Sequence, residues 1–281
     1  MLDFVWNRTK GVVRFLRRVI ASYALHDSSK NAAAIAYYTL FSIFPLLLFL
    51  VYAASIFFPS AESRQVLSER LDSIIPYGAE NLSRIVEQTW NARGSIGIVS
   101  AIGLLWGGSS IFSVLEVSLS HIWESSPRSY FKRRLLGVLA VLSVVLTFLA
   151  SFFIGQITNF MLNYSGTGRE TIRYLMELIS LTLVMMILYR IFPNETVHWS
   201  AAFTGAFSAA VLLMIAKLGF GIYTSLVVER NGLVYGSLTW FLTVALWVYL
   251  VGVLILFGAE FAATFQQRQK ILAAVKKQSK Q

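Results

Sequence analysis

The sequence contains no cysteine and few charged residues, and both shortages restrict what the protein can be. Without cysteine among its 281 residues, disulfides, thiolate metal ligands and cysteine nucleophiles are excluded. Asp, Glu, Lys and Arg make up 14% of the chain, whereas soluble domains carry about 25%. A soluble protein of this length needs more charge to cover its surface, so the composition excludes an ordinary soluble domain.

The motifs of common soluble enzymes are also missing. The chain has no Walker loop, no HExxH and no GxSxG. Its three histidines, His26, His121 and His198, have no metal-like spacing with acidic residues. We therefore expect neither a bound metal nor any other cofactor.

Long uncharged runs occupy much of the remaining sequence. The 29 residues Asn231–Ala259 contain no charge and are followed directly by Glu260. A run of about 20 apolar residues is enough to cross a bilayer. Six such runs predict an all-α, polytopic membrane protein, because a helix satisfies its own backbone polar groups in lipid. The predicted spans are Ala32–Phe58, one beginning at Ser95, one beginning at Leu135, and segments close to 172–191, 199–228 and 237–265.

The basic residues predict the orientation of these spans. With the N-terminus in the cytoplasm, the inner segments hold 16 Lys and Arg and the outer segments hold 7. Such an excess is typical of the cytoplasmic side, so we expect both termini there. The net charge of +10 then predicts anionic lipid headgroups as partners and no nucleic acid. A homo-oligomer is left open.

Two segments lie outside the transmembrane domain, which we place at residues 32–265 together with its outer loop. Residues 1–31 predict a basic amphipathic helix that lies in the headgroup region or packs beneath the bundle. Within the domain, residues 59–94 form that loop, whose apolar stripes predict an amphipathic helical hairpin. A cap on the bundle is favoured for it over a lid on a cavity. Residues 266–281 form a basic cytoplasmic tail.

Ionisable residues inside a span are functional candidates, because a charge in lipid is costly. Counting about 1.5 Å per residue places Lys217 near the outer interface. Snorkelling of its amine to water is favoured there over pairing with a carboxylate or an anionic ligand. The same count places Glu116 and Glu260 at the inner interface, with Arg190 and His121 as candidate neighbours. Ordinary interfacial ion pairs are favoured over a shared vestibule, and a Lys217–Glu260 bridge is not expected.

The first span contains a second group of candidates. Tyr37, Tyr38 and Ser42 precede Pro45, and a proline inside a helix removes a backbone hydrogen bond and favours a kink. The alternative for the tyrosines is an aromatic belt at the membrane interface.

Small residues make up the third group. Gly107 and Gly108 lie near the middle of the second span, and broken helices line substrate sites in transporters. Packing is favoured for them, because Gly103 and Gly107 form a GxxxG motif. The row Ala201, Gly205 and Ala209 is typical of the same kind of packing seam.

Several blocks of sequence, in order, cover nearly the whole chain. They are Ala32–Pro45, Leu188–Asn194 with Gly205-Ala206, and Tyr235-Gly236-Ser237-Leu238 followed by Gly258-Ala259-Glu260. Together they resemble the YihY/BrkB family of bacterial inner-membrane proteins, which are often labelled ribonuclease BN-like. The resemblance implies a six-helix protein of the bacterial plasma membrane, and Asn194 and Tyr235 become candidates through it. Ser120 stands where the family commonly has asparagine, which puts any family role at that position in doubt.

The resemblance implies little about activity. We favour a transport-type protein that moves or binds a small solute, ion or lipid, because six spans enclose sparse charge and Pro45 and Gly107-Gly108 are candidate helix breaks. The alternative is a scaffolding membrane protein. A membrane-associated ribonuclease is least favoured, and we expect no enzyme, since a metal-dependent nuclease needs clustered His and Asp ligands near water.

Overall fold

The structure is a computed structural model that describes residues 2–57, 93–143, 169–235 and 237–278. Every regular element in these ranges is an α helix, which confirms the predicted all-α fold for them. The helices are α1 (Leu2–Leu25), α2 (Ser28–Phe57), α3 (Arg93–Ile122), α4 (130–143), α5 (Arg169–Ile191), α6 (Trp199–Tyr235) and α7 (Ser237–Gln278). Most of the predicted outer hairpin and of the third span lies outside the described residues.

Of the helices described, three are long and apolar enough to cross a membrane. Their apolar segments are Tyr174–Ile191 in α5, Trp199–Leu226 in α6 and Phe241–Val275 in α7. These segments overlap the predicted fourth, fifth and sixth spans. Six spans with both termini in the cytoplasm stay a prediction.

A seam of small residues packs α6 against α7. Ala201 and Ala209 are fully buried. A Cβ atom on Gly205 would lie 2.5 Å from the Cβ of Ala262 and 2.5 Å from the carbonyl oxygen of Gly258. The two backbones are therefore in direct contact, as small residues permit in membrane helix pairs. The predicted packing role of this row is confirmed.

A second seam packs α2 against α3. A Cβ on Gly107 would lie 2.7 Å from the Ser42 hydroxyl, and one on Gly103 would lie 3.2 Å from the Cβ of Pro45. Helix α3 is continuous from Arg93 to Ile122, so no break occurs at Gly107-Gly108. The structure thus confirms the packing role favoured for Gly107.

Helix α1 packs against α7. The rings of Phe15 and Phe261 meet edge to face with centroids 4.8 Å apart, and those of Tyr23 and Phe257 are 6.2 Å apart. Val19 between them is fully buried. Of the two positions expected for the N-terminal helix, the structure therefore shows the one packed on the bundle. This packing brings the end of α1 to the side chain of Glu260.

Candidate functional site

The carboxylate of Glu260 is fully buried and is contacted by three side chains from the junction of α1 and α2. The hydroxyls of Ser22 and Ser28 donate hydrogen bonds of 2.7 Å and 3.2 Å to it. Nδ1 of His26 lies 2.7 Å from Oε1, which is an ion pair when the imidazole is protonated. Glu260 is buried because α1 packs over this end of α7, and its expected position at the inner interface stays a prediction. Counting residues along one helix gives the depth of a side chain but does not show which other segment packs against it.

A tight turn between α1 and α2 positions these donors. Asp27 has a φ of 51°, a left-handed conformation that Asp adopts more readily than most residues. Its carbonyl accepts a hydrogen bond of 2.9 Å from the amide of Lys30, and the side chain of Asn31 donates to the carbonyl of His26 at 3.2 Å. The chain therefore reverses within two residues, so that His26 and Ser28 reach the same carboxylate.

Two tyrosines border the carboxylate. The Tyr23 hydroxyl is buried and has no hydrogen-bond partner among the described residues. Burial, with smaller contributions from Tyr249 and Glu260, raises the pKa of Tyr23 to about 12. The hydroxyl of Tyr249 lies 3.0 Å from that of Ser29. Because Tyr23 stays neutral at physiological pH, Glu260 and His26 are the groups that determine the charge here.

Glu116 is a second fully buried carboxylate, and it is bound by Arg128. Its Oε1 accepts hydrogen bonds from the Arg128 amide at 3.0 Å and from the Ser120 hydroxyl at 3.3 Å, while Arg128 Nη1 is 3.5 Å away. The same guanidinium donates to three carbonyls at the end of α5, those of Ile191, Phe192 and Pro193. The Arg128 guanidinium therefore both neutralises Glu116 and caps the C-terminal end of α5. The loop that carries Arg128 buries Glu116, and the expected position of Glu116 at the inner interface likewise stays a prediction.

The two carboxylates lie in adjacent parts of one polar end of the bundle. The rings of His26 and His121 have centroids 5.2 Å apart, which connects the Glu260 centre to α3. On α3, Ser120 contacts Glu116 and also accepts a hydrogen bond of 3.2 Å from the Asn194 amide. The expected proximity of His121 is therefore correct.

Arg190 does not pair with either carboxylate. It donates a hydrogen bond to the carbonyl of Val197, and its guanidinium carbon lies 4.0 Å from the ring centroid of Trp199. The sequence did not indicate Arg128, which occupies the position expected of Arg190.

Lys217 pairs with a carboxylate of α5. Its Nζ donates to Oε1 of Glu177 at 2.6 Å, and 59% of the Lys217 side chain is exposed. Lys217 therefore combines a largely exposed side chain with a carboxylate partner, which is Glu177 of α5.

The remaining candidates lie apart from the buried carboxylates. Tyr37 and Tyr38 are exposed on α2 with their rings 5.4 Å apart. Ser42 is buried and donates to the Tyr38 carbonyl at 2.7 Å. Pro45 and Gly108 lie within continuous helices, and the side chain of Tyr235 is outside the described part of the chain.

Comparison with known proteins identifies the family. The family described as Virulence factor BrkB matches residues 19–281 of the chain. The chain belongs to this family. It is a membrane protein: relatives matched over most of the chain are named membrane proteins, and three of the described helices are apolar enough to cross a membrane. No solved structure matches it.

Three relatives illustrate the similarity of this BrkB-family protein. A protein of Bacillus subtilis named ribonuclease-like YfkH is 28% identical over 273 residues, covering 92% of the chain and 97% of the relative. A UPF0761 membrane protein of Vibrio vulnificus is 27% identical, covering 94% and 86%. One of Rhodospirillum centenum is 24% identical, covering 95% of this chain but 61% of its own length. In the described residues of our chain, no group of three or more His, Asp or Glu could hold a metal ion.

Proposed function

We propose that this BrkB-family protein is a transport-type protein of the bacterial inner membrane, which moves a small solute, ion or lipid, and that Glu260 and His26 bind the proton that accompanies transport. The observation that carries the proposal is the complete burial of a carboxylate in a helix apolar enough to cross a membrane. An ionisable group in such a place marks a substrate or ion pathway more often than a structural contact.

The partners of Glu260 suit proton binding. A buried carboxylate must be protonated or paired, and among the described residues the only group within ion-pair distance of it is the His26 imidazole, 2.7 Å away. Adding one proton to a carboxylate beside a neutral imidazole changes the net charge of the pair from −1 to 0, whichever of the two groups holds the proton. The two serine hydroxyls can hydrogen-bond to either form.

A structural role explains Glu260 less well. A buried ion pair is often no more stabilising than apolar residues of the same volume. The pair at Glu116 differs, because Arg128 stays charged and also caps α5. That pair is best explained as structural.

Scaffolding is the second candidate function. The exposed side chains of Arg17 and Arg18 on α1 favour it, because a basic helix face can bind anionic headgroups. This role requires only surface groups and does not need a buried group that can bind a proton.

Proton flux into proteoliposomes tests the proposal. A pH-sensitive dye is enclosed, and panels of amino acids, sugars, inorganic ions and fluorescent phospholipids are added in turn under an imposed pH gradient. At least one panel is expected to move protons or labelled lipid faster than in protein-free vesicles. Glu260→Gln should abolish this flux, whereas Glu177→Gln, the same chemical change beside Lys217, should retain it. Wild-type flux equal to that of empty vesicles in every panel, or full flux in Glu260→Gln, would reject the proposal.

A further inference from the structure

A cavity of about 410 Å³ lies between the loop after α3 and the loop that joins α5 to α6. The residues around it include Arg128, Arg190, Asn194, Glu195, Thr196 and Val197. The α5–α6 loop connects two apolar segments, one ending at Ile191 and the other beginning at Trp199. If both segments cross a bilayer, this loop and its cavity lie at the level of the lipid headgroups.

Arg190 supplies a cation that no described residue neutralises. Its ring contact with Trp199 and its hydrogen bond to Val197 fix the guanidinium in place. None of the carboxylates in the described ranges forms an ion pair with it. A fixed guanidinium presents parallel N–H donors that match two oxygens of a phosphate, and little conformational freedom remains to be lost on binding.

The other charges leave the cavity positive. Arg128 also lines it, although that guanidinium shares its charge with Glu116. The one carboxylate in the lining is Glu195, and Lys270 lies 3.8 Å from it. Asn194 and Thr196 add exposed neutral groups that can donate hydrogen bonds.

We propose that this cavity binds a phosphate group, carried by an anionic phospholipid headgroup or present as free phosphate, with Arg190 as the principal donor. The site is separate from the Glu260 centre and does not depend on the transport proposal. Its position between two apolar segments brings it within reach of a headgroup, and the exposed Trp199 beside Arg190 is typical of residues at that level.

Binding of fluorescent phosphatidic acid to the purified full-length protein in detergent tests this site. Arg190→Gln is expected to weaken binding about tenfold or more, the loss typical of a charge-assisted hydrogen-bonded contact. Lys132→Gln removes the same charge from an exposed position of α4 and should change binding by less than about threefold, since exposed charges contribute little. Arg190→Lys should bind with intermediate strength, because lysine keeps the positive charge but lacks the parallel N–H donors of a guanidinium.

Inorganic phosphate added as a competitor identifies the source of the group. Displacement of the fluorescent lipid would assign the cavity to free phosphate as well as to lipid. Retention of the lipid, with the loss in Arg190→Gln intact, would assign it to the headgroup. Absence of binding to the wild type, or equal losses in Arg190→Gln and Lys132→Gln, would overturn the proposal.

A milder substitution tests the same cavity if Arg190→Gln does not fold. Thr196→Val removes one lining hydroxyl and keeps the backbone carbonyl that accepts from Gln266. It should weaken lipid binding about threefold, the contribution of one neutral hydrogen bond, at an unchanged unfolding temperature without lipid. Unchanged binding in this variant, together with an Arg190→Gln protein that does not fold, would count against the site.

Discussion

Glu260→Gln is expected to release α1 from α7. The substitution removes the charge that Ser22, His26 and Ser28 surround at 2.7, 2.7 and 3.2 Å. Breaking a buried ion pair by removing one partner destabilises a protein by about 3–5 kcal/mol. The amide can still accept one or two of these hydrogen bonds, so we expect a loss of at least about 1.5 kcal/mol in the docking of α1, each donor to a charged group contributing about that much. Such a loss raises the undocked population about tenfold.

The absence of cysteine from the chain provides a direct assay of this docking. Val19 of α1 is fully buried, so the rate at which a maleimide labels Val19→Cys measures the undocked population. The rate should rise about tenfold when Glu260→Gln is added, following the free-energy loss. Leu25→Cys, at a position that is 81% exposed, should label rapidly in every background.

A matched control separates loss of Glu260 from loss of any carboxylate. Glu177→Gln leaves the Glu260 centre untouched, so Val19→Cys should label at the wild-type rate in that background. Equal labelling rates with and without Glu260→Gln would refute the reasoning. Docking would then depend on the ring contacts of Phe15 and Tyr23 with α7.

Three further predictions concern stability, measured by thermal unfolding in detergent. Because the pKa of Tyr23 is raised from 10.0 to about 12, stability should be complete below pH 10 and fall as the pH rises towards 12, and Tyr23→Phe should remove that part of the loss. Gly205→Ala should destabilise the α6–α7 seam, where its Cβ would lie 2.5 Å from α7, whereas Gly219→Ala, with no atom within 4 Å, should be neutral or stabilising by up to about 1 kcal/mol. Arg128→Ala should cost about 3–5 kcal/mol, because it leaves a carboxylate buried without its cation, while the exposed Lys132→Ala should cost less than about 0.5 kcal/mol. A small loss in Arg128→Ala or a large one in Gly219→Ala would contradict these contacts.

The apolar helices could be predicted from the sequence because their signal is local. In α6 the predicted segment 199–228 differs from the observed apolar segment Trp199–Leu226 by two residues. The small residues of the α6–α7 seam were recognisable for the same reason, since their spacing of four residues places them on one helix face. Contact with a neighbouring helix then follows from the type of residue alone.

The burial of the two carboxylates could not be predicted in this way. Counting residues along α3 and α7 gives the height of Glu116 and Glu260 but does not show what covers them. Glu260 is covered by α1, whose His26 is 234 residues away in sequence, and Glu116 by the loop directly after α3, whose Arg128 is 12 residues away. One usable signal was present, because His26 and Ser28 flank a junction between an amphipathic helix and an apolar one.

Arg128 was missed for a related reason. It belongs to a run of four bases at 123–134, and the charge count assigned that whole run to the membrane surface. The structure instead directs Arg128 inwards to Glu116 and to the end of α5. A count of charges predicts which side of the membrane a loop occupies, but it does not distinguish a base that faces lipid from one that caps a helix.

The docking of α1 and the proton site use the same carboxylate, and this gives the transport proposal a second consequence. If a proton neutralises Glu260, the ion pair with His26 is lost and α1 is held less tightly, as in Glu260→Gln. A scaffold with a rigid α1 would show no such link, since its surface groups Arg17 and Arg18 do not contact Glu260. In proteoliposomes, labelling of Val19→Cys that accelerates when a transported compound is added, and that does not change with that compound in Glu260→Gln, would therefore support transport over scaffolding.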